Sequence, residues 1–200
     1  YLLTRGRAAA TTALFYDVRS IWAGAARRRR AIDWHWKVSR ALLESCGDFD
    51  YVDDDALAAG RVKNGTIAVG RMRYDTLVVP ETDWMAPAAR RALEAFRMSG
   101  GRVLPAQQIN RIAPLALIAP RHRDIRCTKR VWKGHALYFL TNEALRPVRV
   151  TINVPERGAP VRCDPLDGLC HALASRPGTE GTVIDWRFEP AGSLLLLFGA

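Results

Sequence analysis

Two hundred residues, 48% hydrophobic and 25% charged, suit one large globular domain or two small ones. No apolar run approaches the ~20 residues of a membrane-spanning helix; Leu194 to Phe198, among the longest, is a strand at most. The formal charge of +10 comes from 26 Arg scattered along the chain with only four Lys, and no nucleic-acid motif accompanies it, so nucleic acid is not the expected partner.

Ala13 to Asp17 reads as a first strand, and its end, Asp17 to Trp22, falls in the loop at the carboxyl edge of a parallel sheet, where open α/β folds bind ligands. Arg27 to Arg30 reads as a solvated loop or helix start, with a polyanion site as the alternative. Ile32 to Ser45 suits a helix stopped by Gly47. Phe49 to Val52 is a second strand, followed by Asp53-Asp54-Asp55 and a helical turn. Asn64-Gly65 marks a hairpin between Val62 and Arg73. Leu77-Val78-Val79 is the apolar run of a strand covered on both faces. Pro87 opens a helix whose Ala89, Ala92, Leu93 and Phe96 share a face, Gly100 ends it, and Val103-Leu104 starts another strand. This βαβ unit is the strongest local signal and implies a parallel sheet.

Beyond Leu104, Pro105, Pro114 and Pro120 punctuate an aperiodic stretch that reads as a linker. From Arg126 onward the pattern is β: a hairpin about Lys133-Gly134, alternation over Val148 to Val154, a turn at Asp164 to Gly168, alternation over Ile184 to Phe188, and a final strand from Leu194. The expected organisation is therefore a flavodoxin-like α/β domain over residues 1–119 and a small β-sandwich over residues 120–200. Tyr1-Leu2-Leu3 has the look of a helix caught at its end, so the chain is read as part of something longer and its compartment is left open.

No G-x-G-x-x-G follows a strand, and no phosphate-binding G-x-x-x-x-G-K-[ST] or G-x-S-x-G is present. A glutaminase nucleophile needs a Cys on the sharp turn after a core strand, where this chain has Pro80-Glu81-Thr82. His35, His122, His135 and His171 lie in separate elements, and Cys46, Cys127, Cys163 and Cys170 show no zinc spacing, so neither metal nor cofactor is expected. Cys163 and Cys170 suit either a bridge across a hairpin or two free thiols. What remains is a set of carboxylates and indoles after strand ends: Asp17, Trp22, Asp53, Glu81, Asp83 and Trp84 are the candidates for the rim of a carbohydrate site. Helix capping and solvation account for the acidic residues as well.

The succession Asp48 to Leu57, Asn64-Gly65, Tyr74 to Pro80, and a helix ending in Gly100-Gly101-Arg102-Val103 resembles the C-terminal half of large bacterial glycoside hydrolases. It is most similar to the α-L-rhamnosidases of glycoside hydrolase family 106, and in style to the middle domain of the family 42 β-galactosidases. His135 to Asn142 resembles the "Tyr-Phe-x-x-Asn" strand of the small β-sandwich in such enzymes, and Asp164 to Gly168 and Pro190 to Leu195 resemble its turn and closing strand. The resemblance implies a glutamine-amidotransferase-like domain without its nucleophile, serving a catalytic barrel elsewhere in the same chain. That barrel carries the family's catalytic carboxylates and metal ligands, so no catalytic residue is placed here. Carbohydrate and a second copy of the chain are the other partners to be considered, and a stand-alone carbohydrate-binding or oligomerisation module is the alternative.

Overall fold

The computed structural model describes residues 2–199 except positions 83 and 166. The chain divides into two compact units, one comprising Ala10–Leu42 and Phe49–Ala113, the other the residues up to Ala9, Leu43–Asp48 and everything from Pro114 onward. The division thus lies six residues before the expected 119/120 boundary and is interrupted twice, because Leu43–Asp48 packs with the C-terminal strands: Leu115 N–H donates to the Cys46 carbonyl at 2.9 Å.

In chain order the elements are β1 (Arg7–Ala8), β2 (Thr12–Phe15), α1 (Val18–Trp22), α2 (Ala25–Glu44), β3 (Asp50–Val52), α3 (Asp54–Ala58), β4 (Arg61–Lys63), β5 (Thr66–Val69), β6 (Met72–Tyr74), β7 (Thr76–Val78), α4 (Pro87–Met98), β8 (Arg102–Leu104), β9 (Leu117–Ala119), β10 (Ile125–Trp132), β11 (His135–Asn142), β12 (Val148–Val154), β13 (Val161–Cys163), β14 (Cys170–Ala172), β15 (Arg176–Gly178), β16 (Gly181–Phe188) and β17 (Ser193–Phe198).

The first unit is built on a sheet of order β3-β2-β7-β8 in which every pair is parallel. All four residues of β2 and all three of β7 are buried, which is why these strands read as continuous apolar runs rather than alternating ones. One face of the sheet packs Ala13, Phe15, Val52 and Leu77 against Leu57 of α3 and Ala89 and Phe96 of α4. The other packs Leu14 and Val78 against Val38 and Leu42 of α2. Pro87 occupies the first turn of α4, where its missing N–H costs nothing, and Gly100 at φ +94° supplies the left-handed residue that terminates it. The expected hairpin is a separate three-stranded sheet, β4-β5-β6, whose first turn places Asn64 and Gly65 at φ +48° and +70°. Helix α2 starts seven residues before the expected Ile32, so Arg27 to Arg30 is helical.

The second unit consists of two antiparallel sheets, β1-β10-β11-β17-β13-β14 and β15-β16-β12-β9. They share one core, in which Ile125, Tyr138, Leu140, Leu194 and Leu196 of the first meet Val148, Val150, Ile152, Ile184 and Phe188 of the second. The stretch expected to be a linker contributes β9 and a short 3₁₀ turn, Ala106–Arg111, which belongs to the first unit. Cys163 and Cys170 are ladder partners of β13 and β14 and are free thiols; burial and the neighbouring Cys170 push Cys163 up to about 12.

Candidate functional site

The strand order fixes where a ligand site can form. From β2 the chain goes through α1 and α2 to β3 on one side, then returns past β2 to β7 on the other. The loops leaving the carboxyl ends of β2 and β7 therefore diverge and open a crevice at this switch of direction. A cavity of about 340 Å³ lies there. Its size is that of a small-molecule site.

Asp17 and Ser20 line it from the cap and body of α1 after β2, Val79, Pro80, Glu81, Thr82 and Trp84 from the β7 loop, and Pro105, Ala106 and Gln107 from the segment after β8. Its remaining wall is one face of α2, formed by Arg27, Arg30, Ala31, Trp34 and Lys37, which recur at steps of three and four residues. The two loops are joined by Ser20 Oγ and Thr82 Oγ1 at 3.3 Å, and Thr82 Oγ1 also accepts from Trp84 N–H at 3.2 Å. The Arg27 guanidinium sits 4.8 Å from the centre of the Trp84 ring, a cation–π contact.

Asp17 is only 3% exposed and caps α1, accepting from Ser20 N–H at 3.1 Å. Its own N–H donates to His35 Nε2 at 3.1 Å. That bond places the imidazole proton on Nδ1, which is buried without a hydrogen-bond partner among the described residues. His35 is packed against Tyr16, with ring centres 4.6 Å apart, and edge-on to Trp34 and Tyr51. Burial pulls its pKa below the ordinary 6.5, and the nearby Asp17 carboxylate only partly offsets this. A base held neutral in the folded state binds a proton more readily when unfolded, so stability is complete above pH 6.5 and falls as pH drops below it. The unfolding midpoint of the protein is expected to decline as pH falls below about 6.5, and His35→Gln, which keeps an acceptor for Asp17 N–H, is expected to flatten that decline. Equal pH dependence in both proteins would contradict this role.

The structure therefore brings together Asp17, Glu81 and Trp84 from the rim set. Asp53 is elsewhere: it caps α3, accepting from Ala56 N–H at 2.9 Å, because a residue directly after β3 is the N-cap of the following helix. Trp22, at the end of α1, is 75% exposed and does not line the cavity. Asp83 lies outside the described residues. Asp54, the middle of the acidic triplet, is buried; its Oδ1 accepts from Ala86 N–H at 2.6 Å and its Oδ2 lies 3.2 Å from Arg19 Nε, a charge contact without hydrogen-bond alignment, so it anchors the β7–α4 loop.

Of the basic wall, the sequence offered Arg27 to Arg30 only as an alternative polyanion site, and Lys37 was not singled out. The wall's signal was the spacing of Arg27, Arg30, Trp34 and Lys37, hidden inside what looks like an undifferentiated charge run. Only part of that run faces the cavity, since Arg28 Nε donates to the Ile21 carbonyl at 3.0 Å. With Asp17 engaged in capping, Glu81 is the one described carboxylate of the lining that does not cap a helix. Among the described residues no three His, Cys, Asp or Glu side chains converge as metal ligands.

Neither a protein-family model nor a curated protein matches this sequence. Solved structures do match over nearly the whole chain. A rhamnosidase from Novosphingobium sp. PP1Y superposes with a TM-score of 0.71 at 16% identity, covering 98% of this chain and 23% of that one. The chain shares its fold with regions of glycoside hydrolases. A β-galactosidase from Bacillus circulans sp. alkalophilus (TM-score 0.59, 10% identity) covers 96% of this chain and 42% of its own. The α-L-fucosidase isoenzyme 2 from Paenibacillus thiaminolyticus (TM-score 0.59, 10% identity) covers 95% and 48%. In each case this chain spans less than half the length of the enzyme it matches.

Proposed function

We propose that the chain is a non-catalytic accessory region of a bacterial glycoside hydrolase, α-L-rhamnosidase-like, whose catalytic barrel is a further domain of the same polypeptide. The reading classes the first unit as a flavodoxin-like, glutamine-amidotransferase-like domain without a nucleophile and the second as a β-sandwich. The observation that carries it is the match of 98% of this chain to 23% of a rhamnosidase, both units in one alignment. The chemistry of the crevice agrees: the turn after β7 offers Pro80-Glu81-Thr82 where a nucleophile would stand, and Asp17 is buried and committed to a helix cap. Most glycoside hydrolases use two carboxyl groups flanking one bond, and among the described residues of the cavity the only carboxylate besides Glu81 is the capping Asp17. The role of the region is to buttress the barrel and present the loops after β2 and β7 near its rim.

The purified 200-residue chain, shown to unfold cooperatively, is expected to release no aryl alcohol from an aryl α-L-rhamnoside above the buffer rate. Catalytic turnover by the chain alone would overturn the reading.

A further inference from the structure

The crevice at the carboxyl ends of β2 and β7 is a formed cavity with a chemically divided lining. Arg27, Arg30 and Lys37 stand on one face of α2, with Trp34 between them, and Trp84 and Glu81 stand on the facing loop. Among the described residues neither Arg30 nor Lys37 forms an ion pair, and both line the cavity. Arg27 lies against the ring of Trp84, which remains 44% exposed and available to a second flat or apolar surface. Arginine guanidinium groups bind planar or tetrahedral oxyanions through paired N–H donors, and lysine adds a point charge. Indole rings pack against the C–H face of a sugar, and an exposed carboxylate accepts hydrogen bonds from its hydroxyls.

We propose that this cleft binds an acidic saccharide: a sugar ring carrying a carboxylate or sulfate, with the anionic group on Arg30 and Lys37, the ring against Trp34 and Trp84, and the hydroxyls on Glu81. The sugar part of this ligand rests on the carbohydrate-active reading above, whereas the anionic part rests on the cleft alone. A wall carrying Arg27, Arg30 and Lys37 attracts an anionic group and repels a cation, which is what favours a charged sugar over a neutral one.

Titration of the full 200-residue chain, followed by tryptophan fluorescence and calorimetry, tests it with four probes: methyl β-glucuronide, methyl glucoside 6-sulfate, methyl glucoside and inorganic sulfate. Saturable binding of one or both charged sugars is expected, with the neutral glucoside and inorganic sulfate each about tenfold weaker or worse. Whichever charged sugar binds tighter identifies the substituent. Arg30→Ala with Lys37→Ala, both on the exposed surface of α2 and compatible with folding, is expected to reduce charged-sugar binding to the level of the neutral glucoside. Trp84→Ala is expected to weaken both charged sugars while leaving inorganic sulfate unchanged. Neutral glucoside or inorganic sulfate binding as tightly as the tighter charged sugar, or no saturable binding of either charged sugar, would each overturn the proposal. None of these results bears on whether the chain belongs to a larger hydrolase, which the rhamnoside assay and the mass of the native polypeptide decide separately.

Discussion

Asn142→Asp is expected to be among the most damaging single-atom-scale changes in the protein. Asn142 is 1% exposed at the end of β11. Its side-chain amide donates to the Arg146 carbonyl at 2.9 Å and the Glu189 carbonyl at 3.0 Å, while its oxygen accepts from Ala144 N–H at 3.0 Å. One side chain thereby satisfies three backbone groups from two separate loops, and its own N–H donates to the Gly192 carbonyl at 2.9 Å. A carboxylate cannot donate, so both carbonyls lose their partner and face a buried negative charge. With about 1–3 kcal/mol for each orphaned buried group, a loss of about 3–5 kcal/mol is expected, a large part of the stability of an ordinary domain. Denaturant unfolding of the two proteins measures it; a difference below about 1 kcal/mol would show that the loops are held by other means.

Phe96→Ala carries the second large effect, in the other unit. Phe96 is fully buried between α4 and the parallel sheet, and truncation there is expected to cost about 3–5 kcal/mol. The neighbouring glycine offers an internal check. A Cβ added at Gly101 would lie 2.3 Å from the Phe96 ring, and a ring with no exposure has nowhere to retreat. Gly101→Ala is thus destabilising alone, yet the cavity left by Phe96→Ala has room for the added methyl. The double variant is expected to be less damaged than the sum of the singles, and strict additivity would mean that the two positions do not share this space.

How much of this was legible in the sequence depended on how local the cause was. Pro87, Gly100 and Asn64-Gly65 act through their own backbone preferences, and each sits where those preferences place it. The start of α2 was legible only as one of two readings of Arg27 to Arg30, loop or helix start, because that run carries no apolar periodicity and its placement is set by Ala31, Val38 and Leu42 packing inward. Nor was the assignment of Leu43–Asp48 to the second unit, which rests on contacts such as that of Cys46 with Leu115, distant along the chain. The same contrast holds in the crevice. Asp17, Glu81 and Trp84 were found because they follow strand ends, a position sequence order reveals. Arg27, Arg30 and Lys37 come from the opposite wall, and only the docking of α2 on the sheet turns a charge run into a cleft face. Asp53 illustrates the converse: at a strand end it caps the next helix instead of facing the cavity.

The most direct test of the central claim is the mass and activity of the native polypeptide. Antibodies raised against this 22.3 kDa chain would be used to isolate it from the cells that make it. Under the proposed function the chain is expected to come from a polypeptide several times its own mass, and the isolated material is expected to hydrolyse an aryl α-L-rhamnoside. A native polypeptide of about 22.3 kDa with no glycosidase activity would contradict the account and leave a stand-alone module.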